Sequence, residues 1–170
     1  MITTNGAKII GFSKINNTNT TSLVKTDNTT IEYLTSSAAN YAFRRCSCNN
    51  LANIVESAAD CAMVMNIGVG DTTPTASDYW LDDTSVGGTD VNTIIECRGS
   101  SIWTPTILDN GNLAYTFEFH NTSNNTIAIK ELGLSFLCTA GKFLVGRKVI
   151  EPYYVIPNEV FLLTYGLEFS

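Results

Sequence analysis

The chain is 170 residues long, enough to bury the core of one domain and too short for two of ordinary size. It carries 10 Lys and Arg against 16 Asp and Glu, for a net charge of −6 and a pI near 4.6, and its densest basic pair is Arg44-Arg45, so the clustered cations of a nucleic-acid-binding protein are missing. Charged residues make up only 15% of the chain, its polarity comes from Asn, Thr and Ser, and no apolar run approaches the roughly 18 residues that span a bilayer.

Residues 1–40 alternate turn-prone tracts, Asn16 to Ser22 and Thr26 to Thr30, with short apolar pieces at Ile9 to Phe12 and Ile31 to Leu34. They read as an extended N-terminal arm or a loosely packed hairpin, of the kind that orders against a neighbouring subunit. Residues 41–170 read as a single domain. Between Ser36 and Ala62 the residues Ala38, Ala39, Ala42, Leu51, Ile54, Val55 and Ala58 favour helix, and Asn49-Asn50 breaks it, which predicts at most one or two short helices in 36–60.

From Cys61 the signal becomes strand. Cys61 to Val69 is a short apolar run ending in glycine, as a core strand does, and Val91 to Arg98 is the next. Leu113 to His120 alternates with period two, placing Leu113, Tyr115, Phe117 and Phe119 on one face and Ala114, Thr116, Glu118 and His120 on the other. Ile127 to Cys138 follows the polar turn Asn121 to Asn125, and Phe143 to Ile150 follows Ala140-Gly141. Pro152 and Pro157 bracket Tyr153 to Ile156 and mark that stretch as an edge or a crossover. The last strand, Val160 to Phe169, sets Phe161, Leu163, Tyr165, Leu167 and Phe169 together. Strands separated by short turns predict a mainly β protein, an antiparallel β-sandwich or jelly-roll-like unit.

Several constellations invite chemical readings. Gly68-Val69-Gly70 resembles the start of a dinucleotide-binding loop, but Thr73 and Pro74 stand where a third glycine and a helix are required, and no lysine lies between Lys25 and Lys130. The glycines instead suit a tight turn or a close backbone approach, with Tyr79 and Leu81 folding the loop back onto the core. Asp71, Asp78, Asp82, Asp83 and Asp90 supply hard oxygens without the spacing of a calcium loop, and read as solvated loop carboxylates. Glu118 and Glu131 are the pair a glycosidase would need, and two acids in such a chain are expected anyway. His120 has no nucleophile motif beside it. Cys46, Cys48, Cys61, Cys97 and Cys138 are odd in number and read most simply as free thiols, with Cys97 and Cys138 acting as small hydrophobes. The sequons at Asn16, Asn19, Asn28, Asn121 and Asn124 read as accidents of composition, because Met1 to Lys8 lacks the pattern of a signal peptide. Tyr79, Trp80, Trp103, Tyr153 and Tyr154 lie in loop-like or proline-flanked segments, where aromatics anchor interfaces or stack on sugars.

Taken in order, the apolar strand, Gly68-x-Gly70, Thr73-Pro74-Thr75, Asp78-Tyr79-x-Leu81, Phe117-x-Phe119-x-Asn121, Ile127-x-Ile129-x-Glu131-x-Gly133-Leu134, Leu144-x-x-Arg147-x-Val149, Ile156-x-x-x-Glu159 and Thr164-Tyr165 resemble small virion proteins of tailed bacteriophages and prophages. The resemblance covers roughly residues 51–169. It departs at Asn158, where a glycine is usual, and residues 1–40 have no counterpart. It implies a non-enzymatic structural subunit of the particle, in a head, neck, tail or fibre-attachment position. Such a subunit is made and assembled in the bacterial host cytoplasm as a symmetric homo-oligomer, in contact with other virion proteins. No cofactor, metal, nucleic acid or membrane is expected as a partner. The alternative is a fibre module that binds a host glycan or receptor through its loop aromatics, with a glycan hydrolase behind it.

Overall fold

The computed structural model describes residues 1–7, 9, 22–32, 62–85, 95–98, 105–109, 112–138 and 141–168. These residues are mainly strand: β1 (Ser22–Val24), β2 (Thr30–Glu32), β3 (Ala62–Gly68), β4 (Ile95–Arg98), β5 (Thr106–Ile107), β6 (Leu113–Asn121), β7 (Ile127–Cys138), β8 (Gly141–Val155) and β9 (Val160–Leu167). A short helical segment starts at Thr4, where no helix was expected, and the predicted helices of 36–60 lie outside the described residues.

Every pairing is antiparallel. One sheet has the order β3-β7-β8; another places β4 and β5 against one edge of β6 and β9 along the other; β1 and β2 form a hairpin. The period-two reading of β6 holds, with Tyr115, Phe117 and Phe119 buried and Thr116 exposed. β9 repeats it, burying Phe161, Tyr165 and Leu167 beneath exposed Val160 and Leu162. Side chains from both larger sheets join one hydrophobic cluster, in which Met63, Met65, Leu134, Phe136 and Val145 accompany the β6 and β9 aromatics. Phe119 stacks on Phe161 at 5.7 Å, and Tyr153 at the end of β8 meets Phe161 at 5.9 Å, tying the two sheets together. Each such side chain contributes about 1.5–3 kcal/mol by leaving water. β3 is buried along its whole length, which is why its sequence is apolar on both faces, apart from Asn66, rather than alternating.

β8 runs past its expected end at Ile150 to Val155, through Pro152. It does so because Ile150, Glu151 and Pro152 stand opposite the single residue Lys130 of β7, an irregularity in which proline's missing N–H leaves no gap in the ladder. A second irregularity inserts Val145 between the partners of Leu134 and Ser135. The N-terminal residues cross β8 there. Thr3 donates its amide to the Val145 carbonyl at 3.0 Å and its hydroxyl to that of Leu144 at 2.6 Å, and the Arg147 amide donates to the Met1 carbonyl at 3.0 Å. Residues 1–3 therefore cover the Leu144 to Arg147 stretch of their own chain's β8 edge. Asn5 bonds both polar groups of Val24, which docks the β1–β2 hairpin and buries Leu23.

Cys97 corrects the free-thiol expectation. It is buried on β4 and disulfide-bonded, to a partner outside the described side chains.

Candidate functional site

The connector out of β3 is held by one buried ion pair. Glu131 of β7 and Arg147 of β8 sit on neighbouring strands, offset by two residues because Gly133 is the partner of Arg147. Glu131 is fully buried, and the Arg147 side chain is only 3% exposed. Arg147 Nε and Nη2 each lie 2.9 Å from Glu131 Oε2, which also accepts the Asp82 amide at 3.1 Å. Oε1 accepts the amides of Asp83 at 2.8 Å and Gly70 at 3.2 Å. One carboxylate thus fastens both ends of the loop. Val69 closes it by donating to the Asp83 carbonyl at 2.9 Å.

Arg147 secures the middle. Its Nη1 donates to Asp78 Oδ2 at 2.8 Å and its Nη2 to the carbonyl and hydroxyl of Thr72. Burial alone pushes the Asp78 carboxyl up, but the Thr75 hydroxyl and amide and the Arg147 guanidinium outweigh it and hold the group below its ordinary value. Burial likewise lowers the Arg147 value, and the bonds to Asp78 and Glu131 reverse that, so the guanidinium stays charged. Close packing makes the two glycines necessary: a Cβ on Gly68 would lie 2.4 Å from the Asp83 carbonyl oxygen, and one on Gly70 would lie 2.4 Å from Asp82 Cβ. Of the two roles expected for these glycines, close approach is the one found, since neither has a positive φ.

Between this loop and the β1–β2 turn lies a groove of about 780 Å³. Trp80 and Tyr79 line it, with Asp27 and Asn28 from the turn and Asp78 and Asp82 from the loop. Lys142 Nζ stands 5.1 Å over the Trp80 ring and donates to the buried Asn66 side chain at 3.2 Å, so the indole is half-buried and fixed on one face. Leu81 tucks into the core as expected, but Tyr79 does not: it is 38% exposed and faces the groove.

The expected aromatic sites therefore separate. Tyr79 and Trp80 share the groove, whereas Tyr153 and Tyr154, 40% and 65% exposed, stand near the far end of β8, about 20 Å along the strand from Arg147. Trp103 lies outside the described residues. Beyond Tyr154 the chain turns at Pro157-Asn158 into β9, where Ile156, Val160 and Leu162 are exposed as well. This turn is anchored by the fully buried Asn121, whose side chain donates to the carbonyls of Val155 and Ile156 and, across the β6–β7 turn, of Asn125. As a sequon that asparagine is inaccessible.

Among the described residues no three His, Cys, Asp or Glu side chains converge on a metal-ion geometry. Asp71 pairs at the surface with Lys130 at 3.0 Å, Asp78 with Arg147, and Asp90 lies outside the described residues. Glu131 and Glu118 fall in different sheets. His120 is the last residue but one of β6, opposite Val160 on one side and Glu96 on the other.

The Glu131–Arg147 pair has no counterpart among the constellations expected from the sequence. A signal was present: Ile127, Ile129 and Glu131 share one strand face, and a carboxylate on an otherwise apolar face needs a cation inside. No protein-family model, curated protein or solved structure matches this chain.

Proposed function

We propose that the chain is a non-enzymatic structural component of a tailed-phage particle, packed as a β-sandwich or jelly-roll-like unit and assembled by protein–protein contacts into a symmetric homo-oligomer. One observation carries this reading, the contrast between β8 and β9, one outer strand of each larger sheet. β8 beyond Arg147 carries Lys148, Glu151 and Pro152, the residues that stop an edge from pairing with another chain. β9, of sequence VFLLTYGL, carries no charge and no proline, and among the described residues nothing pairs with it on the side away from β6. Its solvent face presents Val160, 45% exposed, and Leu162, 64% exposed.

An unblunted apolar edge of this kind is a template for a further strand. Laying β9 of one copy antiparallel to β9 of a second generates a two-fold axis in which each copy offers the same surface. Contacts to other virion proteins then fall on the remaining faces. Synthesis and assembly take place in the host cytoplasm; the Cys97 disulfide is of a kind that persists on a virion surface after release into an oxidising medium.

The test is the mass in solution, by light scattering, of the full chain and of its Leu162→Lys variant. Leu162 is exposed, so the variant folds with unchanged circular dichroism. The wild type is expected to be oligomeric and the variant monomeric. A monomeric wild type, or a variant that assembles as the wild type does, refutes the β9 edge as the interface.

A further inference from the structure

We propose that the groove between the Lys25–Thr29 turn and the 69–83 loop binds a neutral saccharide. This does not depend on assembly through β9, because the groove and that edge are separate surfaces.

The walls are fixed before any ligand arrives. A loop with no regular structure of its own is fastened at Gly70, Thr72, Asp78, Asp82 and Asp83 to the Glu131–Arg147 pair, and at Ala76, whose carbonyl accepts the Thr4 amide at 2.7 Å and hydroxyl at 2.8 Å. Burying an ion pair is a poor way to gain stability but an effective way to specify one conformation. A pre-ordered loop loses little freedom on binding, which is where weak sugar contacts otherwise fail.

The chemistry of the lining selects the ligand class. Trp80 presents an indole already immobilised by Lys142, and Tyr79 adds a second exposed ring beside it. Flat rings with polar tips pack against the C–H faces of a pyranose. Around them stand groups that match vicinal hydroxyls. The Asp27 carboxylate is held by Thr29 through Oδ1 alone among the described residues, leaving its second oxygen as an acceptor. Asn28 offers both a donor and an acceptor, and Thr73 a hydroxyl. Asp82 approaches Arg147 no closer than 3.9 Å and keeps its carboxylate on the groove side.

Charge sharpens the class. Arg147 is the cation of the lining and is already engaged by Glu131 and Asp78, and with Lys142 on the Trp80 ring counted as well, Asp27 and Asp82 still leave the groove negative. Sulfated, phosphorylated or sialylated glycans are disfavoured there by like-charge repulsion, and neutral ones are not. The volume falls within the range of small-molecule sites and suits a short oligosaccharide.

The experiment presents the full chain to an array of neutral and anionic oligosaccharides, then titrates the strongest soluble neutral hit by calorimetry. Neutral glycans are expected to bind in preference to anionic ones. Trp80→Ala and Tyr79→Ala are each expected to weaken the titrated affinity roughly tenfold, and Leu162→Lys to leave it unchanged. Because Trp80 is half-buried, the exposed Tyr79→Ala and Asp82→Asn variants carry the test if Trp80→Ala does not fold; Asp82→Asn is expected to bring anionic glycans closer to the neutral ones. The proposal is overturned if no neutral glycan binds above background, if anionic glycans are preferred, or if Tyr79→Ala and Asp82→Asn both bind as the wild type does. A loss of binding in Leu162→Lys would move the site to the β9 edge.

Discussion

Replacing Glu131 by Gln keeps the size and shape of a fully buried side chain and removes its charge. One oxygen remains for the Gly70 and Asp83 amides, but an NH2 group then faces three donors, Arg147 Nε and Nη2 and the Asp82 amide, that had converged on Oε2. Removing one partner of a buried ion pair costs about 3–5 kcal/mol, chiefly because the other charge is stranded. Asp78 still meets Arg147 at 2.8 Å, which places the expectation at the lower end, about 3 kcal/mol. That is a large part of the roughly 5–15 kcal/mol that holds an ordinary domain together. Urea unfolding followed by circular dichroism reads the total, and amide hydrogen exchange reads its location. Protection is expected to fall first at Asp82, then at Gly70 and Asp83, while the β6–β9 pairing keeps its own. A loss below about 1 kcal/mol, or unchanged exchange at Asp82, would refute the claim that this pair organises the connector.

Three further outcomes follow from the same geometry. Burial raises the Tyr165 hydroxyl to about 12 from an ordinary 10.0, so the folded state keeps its full stability below pH 10.0 and loses it as pH rises toward about 12, by roughly 2–3 kcal/mol; Tyr165→Phe should flatten that alkaline limb in thermal melts. The Asp78 carboxyl is lowered, so its contribution is present above the ordinary carboxylate value and fades as pH falls below about 4 and through its own lower value; Asp78→Asn should be less stable at neutral pH and less sensitive to acid, as urea midpoints across that range will show. Gly68→Ala forces a Cβ to 2.4 Å from the Asp83 carbonyl oxygen and should cost about 1–3 kcal/mol, whereas Gly166→Ala, with nothing within 4 Å, should stay within about 0.5 kcal/mol in the same denaturation assay.

What the sequence revealed depended on period. The alternation of Tyr115, Phe117 and Phe119 and of Phe161, Tyr165 and Leu167 is local, and each strand announces its buried face without reference to its partner. β3 was legible for the opposite reason, since burial on both faces leaves a short, mainly apolar run without alternation. The extent of β8 was not legible, because its passage through Pro152 depends on the irregular pairing opposite Lys130, which only the register with β7 supplies. The Glu131–Arg147 pair is hidden for the same reason, as it joins residues sixteen apart in sequence through a two-residue offset between strands. Tyr79 was expected to fold inward with Leu81, but the Asp78–Arg147 bond fixes the loop so that Leu81 enters the core and Tyr79 faces the groove. The Cys97 disulfide was out of reach because an odd set of cysteines does not state its pairing.

Assembly through an unblunted β9 edge is the centre of the functional proposal, and a cryo-EM map of the oligomer formed by the full chain tests it most directly. The map is expected to show β9 of one copy antiparallel to β9 of another across a two-fold axis, with Val160 and Leu162 covered and the 69–83 groove open to solvent. An assembly held by other surfaces, with β9 bare or capped by its own chain, would contradict it.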